Sequence, residues 1–267
     1  MKAADIFERL WIQYSCDNPS AGQIYDLFQK SGERVINDHV AFRTYNDPRV
    51  NIDVIAKPFL EAGYVPKGDY DFKVKKLRAR HYELPDAPEF PRVFISELKL
   101  DQCSGNLRKT VTDLLDKVPE KLFNSTELIF KGTIFDPVSY EVYNRLREES
   151  EYAAWLYVFG YRANHFTVSI NHLEHFEGIE AVNAFLKAEG FRLNNSGGEI
   201  KGTAAQLLQQ SSTLADRVEV TFDDGTFVIP SCYYEFAHRY KDRNGDLFNG
   251  FVADSADKIF ESTDFRK

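Results

Sequence analysis

Asn37-Asp38-His39-Val40-Ala41-Phe42-Arg43-Thr44 decides the fold, because Asn164-His165-Phe166-Thr167-Val168-Ser169-Ile170 repeats its opening and its character much later in the chain. Both runs are β-branched and aromatic, which predicts strands, and the first stops at the turn signal Asn46-Asp47-Pro48. A helix is predicted next. Ile52, Ile55, Ala56, Phe59 and Leu60 recur at helical spacing, and Gly63 follows where a left-handed C-cap sits. After the second strand, Ile179, Val182, Phe185 and Leu186 do the same over 179–188, and Gly190-Phe191 ends that helix as Gly63-Tyr64 ends the first. The spacings match: 24 residues from His39 to Gly63 and 25 from His165 to Gly190.

Strand-like runs follow each helix. In the first repeat they lie in Asp71 to Leu84 and Pro91 to Leu100, with Lys73-Val74-Lys75 and Arg92-Val93-Phe94-Ile95 among them. In the second, a polar Gly-rich link (Asn194 to Gly198) precedes Arg217 to Phe222, the turn Asp223-Asp224-Gly225, and Thr226 to Ile229 leading into Tyr233-Tyr234-Glu235-Phe236. Asp-Gly between alternating runs is a hairpin signal. The reading is a mixed α+β protein built on a duplicated βαβββ unit. Around it, residues 1–33 read as a helical cap, with Ile6, Leu10 and Trp11 before the Asn18-Pro19 break and Ile24, Leu27 and Phe28 after it. Residues 34–100 form the first unit and 101–162 a mainly helical connection led by Leu107, Val111, Leu114 and Leu115. Residues 163–267 form the second unit and the tail of one compact domain.

Composition narrows the function. With 267 residues, 43% hydrophobic, the chain can bury a full core, and no apolar run nears the ~18 residues that span a bilayer. A net charge of −8 leaves little for nucleic-acid binding. The opening MKAADIFERLW carries acids where an export signal carries a basic segment, and Cys16, Cys103 and Cys232 form no CxxC pair, so a reducing cytoplasm is expected. No obligate protein partner is evident.

A βαβββ unit is a curved half-sheet, and two of them pair into a half-barrel cup lined by alternate residues of each strand. Pseudo-symmetry then brings His39 and His165 together at its bottom. Glu235, in the last strand of the second unit, supplies a carboxylate, and two imidazoles with one carboxylate is the facial arrangement of non-haem Fe(II) oxygenases. Tyr233, two residues earlier, lines the same wall. Glu97 is taken as the counterpart of Glu235 in the first unit. As a fourth ligand it would suit a divalent-metal lyase or isomerase; without it, positions stay open for O2 and a chelating substrate. Arg43 lies four residues after His39, on the same strand face and roughly 13 Å away at ~3.3 Å per residue, where a guanidinium can clamp a carboxylate. Thr167 and Ser169 make the wall polar.

These residues, with Gln209-Gln210-Ser211-Ser212-Thr213, resemble the 2-oxoadipate dioxygenase/decarboxylase family, whose fold is related to the vicinal-oxygen-chelate enzymes. The resemblance runs from about residue 34 to the C-terminus of a chain shorter than the better-understood members. It implies that His39, His165 and Glu235 bind Fe(II) and that Arg43 holds the substrate carboxylate remote from the keto group. It also implies pocket roles for Gln210 and Ser211, and a closing segment Val252-Ala253-Asp254-Ser255-Ala256 with Ser255 as a substrate contact. The implied partners are a short 2-oxo dicarboxylic acid and O2, and the implied reaction turns 2-oxoadipate and O2 into 2-hydroxyglutarate and CO2. A glyoxalase-type lyase or isomerase and a non-catalytic small-acid binding module are the alternatives.

Other features carry blander expectations. His172 and His175 read as a solvated loop, His238 faces away from Glu235 on a strand, and His81 has no evident partner. Lys73, Lys75, Lys76, Arg78 and Arg80 read as a wet sheet edge. Gly197, Gly198 and Gly202 lack the Lys-Ser/Thr of a phosphate loop. No Ser-His-Asp constellation supports a hydrolase.

Overall fold

β1 (Asn37–Tyr45) and β5 (Ala163–Ser169), the two stretches that open the repeats, lie side by side and antiparallel at the middle of an eight-stranded sheet. The structure, a computed structural model, describes residues 1–252. Outward from β1 come β4 (Arg92–Leu98), β3 (Leu77–Glu83) and β2 (Val65–Phe72); outward from β5 come β10 (Glu235–Arg239), β7 (Leu208–Ser212) and β6 (Lys201–Thr203). β4 runs parallel to β1 and β10 parallel to β5, with α3 (Ile52–Glu61) and α8 (Ile179–Ala188) following the opening strands. The two halves are therefore the same βαβββ unit, and together they make the expected α+β half-barrel.

The second unit differs from the sequence reading in one respect. Arg217–Phe222 (β8) and Gly225–Pro230 (β9) do form the Asp-Gly hairpin, but as a separate two-stranded sheet inserted between β7 and β10. The unit's own second and third strands are β6, at the sheet edge, and β7. Their residues include Gln210, Ser211 and Ser212, polar and buried, so hydrophobic alternation does not mark them. In the first unit Lys73-Val74-Lys75 is the turn between β2 and β3, with Lys76 at φ 56°, and not a strand. β3 lies inside the sheet rather than at its edge; Arg78 pairs with Glu97 and Arg80 with Asp69.

Two helices, α1 (Ala3–Asp17) and α2 (Pro19–Lys30), bury Ile6, Leu10, Ile24 and Phe28 completely. They also hold the residues leading into β10: Tyr14 donates to the carbonyl of Tyr233 at 2.5 Å, and Asn18 accepts from the Cys232 amide at 3.1 Å. Past α2, the buried Glu33 carboxylate accepts from the backbone amides of Glu174 and His175, both at 2.7 Å, and from the His175 ring at 2.9 Å. Burial alone would raise its pKa, but these donors outweigh burial and hold it below the usual carboxylate value. A depressed folded-state pKa means that the contribution exists above the unfolded value and disappears as pH falls through the folded one. Glu33→Gln is therefore expected to cost about 1–3 kcal/mol at pH 7 and progressively less as pH falls below the ordinary carboxylate value, read by urea unfolding across that range. A gap that persists in acid would contradict the assignment.

Of the connecting helices, α4 (Gly105–Leu115), α5 (Glu120–Phe123), α6 (Tyr140–Glu149) and α7 (Glu151–Phe159), the last matters most. Every residue from Tyr152 to Phe159 is buried, so α7 is apolar all round. It stops at Gly160, where φ is +65° and a Cβ would lie 2.0 Å from the Gly132 carbonyl oxygen. Only glycine fits there, and that close approach seats Tyr152 and Trp155 beside β1. Among the described residues no helix is long and apolar enough to cross a membrane.

Candidate metal centre

Strand register places the three expected ligands on adjoining positions of the concave face. His39 sits opposite Thr167, His165 opposite Ala41, and Glu235 beside Thr167. The two imidazole rings lie 5.5 Å apart at 83°. Glu235 reaches between them, Oε1 3.6 Å from Nε2 of His39 and Oε2 3.2 Å from Nε2 of His165. One ligand atom from each residue lies within 4.8 Å of the others, and all three side chains are buried.

The residue before each histidine aims it. Asp38 Oδ1 lies 2.8 Å from Nδ1 of His39, and Asn164 Oδ1 lies 3.0 Å from Nδ1 of His165. Donation of Nδ1–H to these oxygens turns both Nε2 atoms toward the gap, the orientation that metal-binding histidines use, with the Thr167 hydroxyl 3.1 Å from Nε2 of His39. Burial pushes both imidazole pKa values down; the charges of His39 and Arg43 add to the effect at His165. Burial pushes Glu235 up to about 8, although Gln210 donates to its Oε1 at 2.5 Å. Its Oε2 is buried without a hydrogen-bond partner. Two neutral imidazoles and a buried carboxylate with a free lone pair, all facing one gap, suit a divalent cation, whose charge would offset the cost of burying that carboxylate.

Arg43 faces the same cup. It is 3% exposed, its Nε and Nη1 have no hydrogen-bond partner, and no carboxylate pairs with it among the described residues. Its guanidinium sits 5.0 Å from each of the rings of Tyr152 and Trp155, which are anchored in turn: Trp155 donates to the Ser231 carbonyl and Tyr152 to that of Ser96. An uncompensated buried cation is costly, so this arrangement reads as a receptor for an anion. The Tyr233 ring stacks on His165 at 4.7 Å, and its buried hydroxyl likewise has no partner.

Glu97 lies elsewhere. β4 pairs with β1 so that Phe94, not Glu97, stands beside Ala41. Since Ala41 corresponds to Thr167 in the repeat, Phe94 is the counterpart of Glu235. Glu97 lies three residues on, on the opposite strand face, where it accepts from the Ile52 amide at the start of α3 at 2.9 Å and from Arg78 at 2.5 Å. Its role is to satisfy a helix N-terminus. Glu97→Ala is expected to lose about 1–3 kcal/mol in urea unfolding while leaving metal stoichiometry unchanged; lost metal would restore the four-ligand reading.

Of the other expected contacts, Gln210 reaches the cluster through Glu235 and keeps its buried Oε1 free. Ser211 is turned the other way and donates to Asn183 of α8 at 2.7 Å, since strand alternation sends it to the outer face. Ser255 lies outside the described residues. His172 and His175 lie apart from the cluster, bonded to Ser169 and Glu33. Several contributors escaped the sequence reading. His81 faces the cup beside Phe94 and is partnered by Tyr70 and Glu83. Tyr152 and Trp155 reach the cup from α7, and Phe251 packs against His39 at 4.9 Å. Pairing alone could have exposed His81, as a polar residue at an inward position; nothing local marks Trp155 or Phe251.

The profile of the family described as 2-oxoadipate dioxygenase/decarboxylase matches residues 13–245. The chain is 36% identical to the chloroplastic 2-oxoadipate dioxygenase/decarboxylase of Arabidopsis thaliana over 92% of its own length and 73% of that protein's. Among solved structures, hydroxyglutarate synthase from Oryza sativa, determined with 2-oxoadipate, is 35% identical with a TM-score of 0.90, covering 100% of this chain and 95% of that one. A Shewanella frigidimarina protein reaches 50% identity and a TM-score of 0.89, covering 94% and 98%. A glyoxalase superfamily protein from Ralstonia eutropha, 21% identical with a TM-score of 0.73 over 91% and 83% of the two chains, shares the fold. With the match spanning both repeats and the strands that carry His39, His165 and Glu235, the chain belongs to the 2-oxoadipate dioxygenase/decarboxylase family.

Proposed function

We propose that this protein is an Fe(II)-dependent dioxygenase that converts 2-oxoadipate, or a similar short 2-oxo dicarboxylic acid, to 2-hydroxyglutarate and CO2. The single observation that carries the reading is the unneutralised Arg43 guanidinium on the same strand face as His39. It provides an anion receptor on the face that also carries a His-His-Glu donor set. His39, His165 and Glu235 would hold the iron, leaving positions open because Glu97 is engaged with α3. Iron, when bound, supplies the one-electron chemistry that O2 requires.

The chain's own residues do the rest. Arg43 would take the carboxylate remote from the keto group in a bidentate grip, fixed by Tyr152 and Trp155, so that the substrate's oxo-acid end lies at the three ligands. Tyr233 offers its free hydroxyl, and Gln210 its free carbonyl oxygen, to substrate polar atoms. The aromatic wall of Phe94 and Phe251 excludes water. The balance is closed: 2-oxoadipate and O2 give 2-hydroxyglutarate and CO2, with both oxygen atoms retained and no further reductant.

An oxygen electrode tests this. Anaerobically purified protein given Fe(II) and 2-oxoadipate should consume one O2 for each CO2 released and yield 2-hydroxyglutarate. Metal-dependent turnover without O2 would point to a lyase. Binding of 2-oxo acids with no turnover would leave a small-acid binding module.

A further inference from the structure

Arg239, at the end of β10, is one of the most heavily engaged side chains beside the metal centre, yet it touches none of the three ligands. Its Nε and Nη2 grip both oxygens of Asp38, at 2.6 and 2.8 Å. Its Nη1 donates to the carbonyls of Phe248 and Gly250, each at 2.8 Å. The backbone is clamped as well: Asn171, just past β5, accepts from the Arg239 amide at 2.9 Å and donates to its carbonyl at 2.8 Å. A guanidinium is a rigid planar fork, so a partner held on one side fixes the direction offered to the other.

Those two sides lead to different places. Asp38 is the carboxylate that orients His39, and the positive charge of Arg239 is the chief influence opposing the effect of burial and holding Asp38 ionised. The carbonyls belong to the segment that covers the cup. Within it Asn249 accepts from Arg92 at 2.7 Å, and the Phe251 amide donates to the Tyr70 hydroxyl at 3.2 Å. The Phe251 ring then packs on His39 at 4.9 Å, Phe94 at 4.8 Å and His81 at 5.4 Å, with the Arg239 guanidinium 5.2 Å away. His39 is thus held from one side by Asp38 and contacted on another by Phe251; the Arg239 guanidinium bonds both sides directly, and Arg92, 3.6 Å from Asp38 Oδ2 and bonded to Asn249, is a weaker second link. The second repeat has no equivalent: His165 is oriented by a neutral amide, and the residue of β4 corresponding to Arg239 is Leu98.

We infer that Arg239 is a positioning residue that couples the seating of segment Phe248–Phe251 over the cup to the orientation of the ligand His39. Metal binding and the order of that segment are then linked, and linkage is reciprocal: each strengthens the other by the same factor. The inference rests on the metal-site reading above.

The test uses the full chain with Co(II) as the probe metal, read by titration calorimetry and by hydrogen exchange of the Gly250 and Phe251 amides. In the unaltered protein, Co(II) should slow exchange of these amides about tenfold. Removing a partner that orients a metal ligand typically weakens binding about 10–100-fold, so Arg239→Lys should bind Co(II) correspondingly more weakly and lose the added protection. Phe251→Ala leaves the Asp38 pair intact and should weaken Co(II) by the factor seen in the exchange experiment. It also keeps the inference testable if Arg239→Lys does not fold. Co(II) bound by the unaltered protein without any change in exchange at these amides would overturn the coupling alone. No Co(II) binding by the unaltered protein would instead remove the metal site on which it stands. Unchanged affinity in Phe251→Ala would also overturn the coupling.

Discussion

Arg43→Ala is expected to keep full metal stoichiometry and to lose about two to three orders of magnitude in kcat/KM for 2-oxoadipate. The size follows from the setting: removing one partner of a buried, hydrogen-bonded charge pair costs about 3–4 kcal/mol, and each 1.4 kcal/mol is tenfold. The loss should track the remote carboxylate, so a 2-oxo acid that lacks it should be handled about equally by both proteins. A second consequence separates this reading from a structural role. In the protein without substrate the guanidinium is buried with Nε and Nη1 unpartnered, so Arg43→Met should raise the thermal midpoint while destroying activity. Steady-state kinetics on both acids, with a thermal melt of each variant, checks the pair of expectations. A destabilised Arg43→Met that still turns over 2-oxoadipate would sink the receptor assignment.

Glu235→Gln is the other change with a large expected effect. The amide preserves shape and removes the charge that a divalent cation needs, leaving two neutral imidazoles, His39 and His165, as donors. Stoichiometric metal should be lost, and activity should fall by about two to nearly four orders of magnitude, since an anionic ligand gone from a desolvated site costs about 3–5 kcal/mol. The metal-free variant should nevertheless melt higher than the metal-free parent, because burial that raises the Glu235 pKa to about 8 is a cost the folded parent carries and the amide does not. Metal analysis after dialysis and paired melts with and without added Co(II) give the answer. A variant that retains one metal per chain would show that Glu235 is not a ligand.

The two expectations share a cause. Both concern a group that the fold buries without a protein counter-ion among the described residues, one guanidinium and one carboxylate, on the same concave face. Such placements lower stability in the empty protein and are retained where a ligand completes them. Asp38 and Arg239 show the contrast: the same kinds of group, equally buried, but paired with each other, so neither is left uncompensated.

The sequence by itself determined the duplication and pointed to His39, His165 and Glu235, which the fold brings together. Nearly equal strand-to-glycine spacings reveal the two units, and a period of two puts His39 with Arg43 on one face of β1 and His165 with Thr167 on one face of β5. Where the signal was periodic and apolar, as in α1, α3, α8 and β1, residues and elements agree. It failed where strands are short and polar. Lys201–Thr203 and Leu208–Ser212 carry no alternation, so the hairpin of β8 and β9 took their place in the reading. Tertiary structure alone decided what stands across from what. The register of β4 on β1 put Phe94 where Glu97 was expected and turned Glu97 toward α3, a difference of three residues that reverses the strand face. Likewise Tyr152 and Trp155, from a helix buried on every side, and Phe251, far along the chain, reach the cup only through packing. Ligand types follow from local chemistry and parity; their count, and the walls around them, follow from non-local pairing that no stretch of sequence encodes on its own.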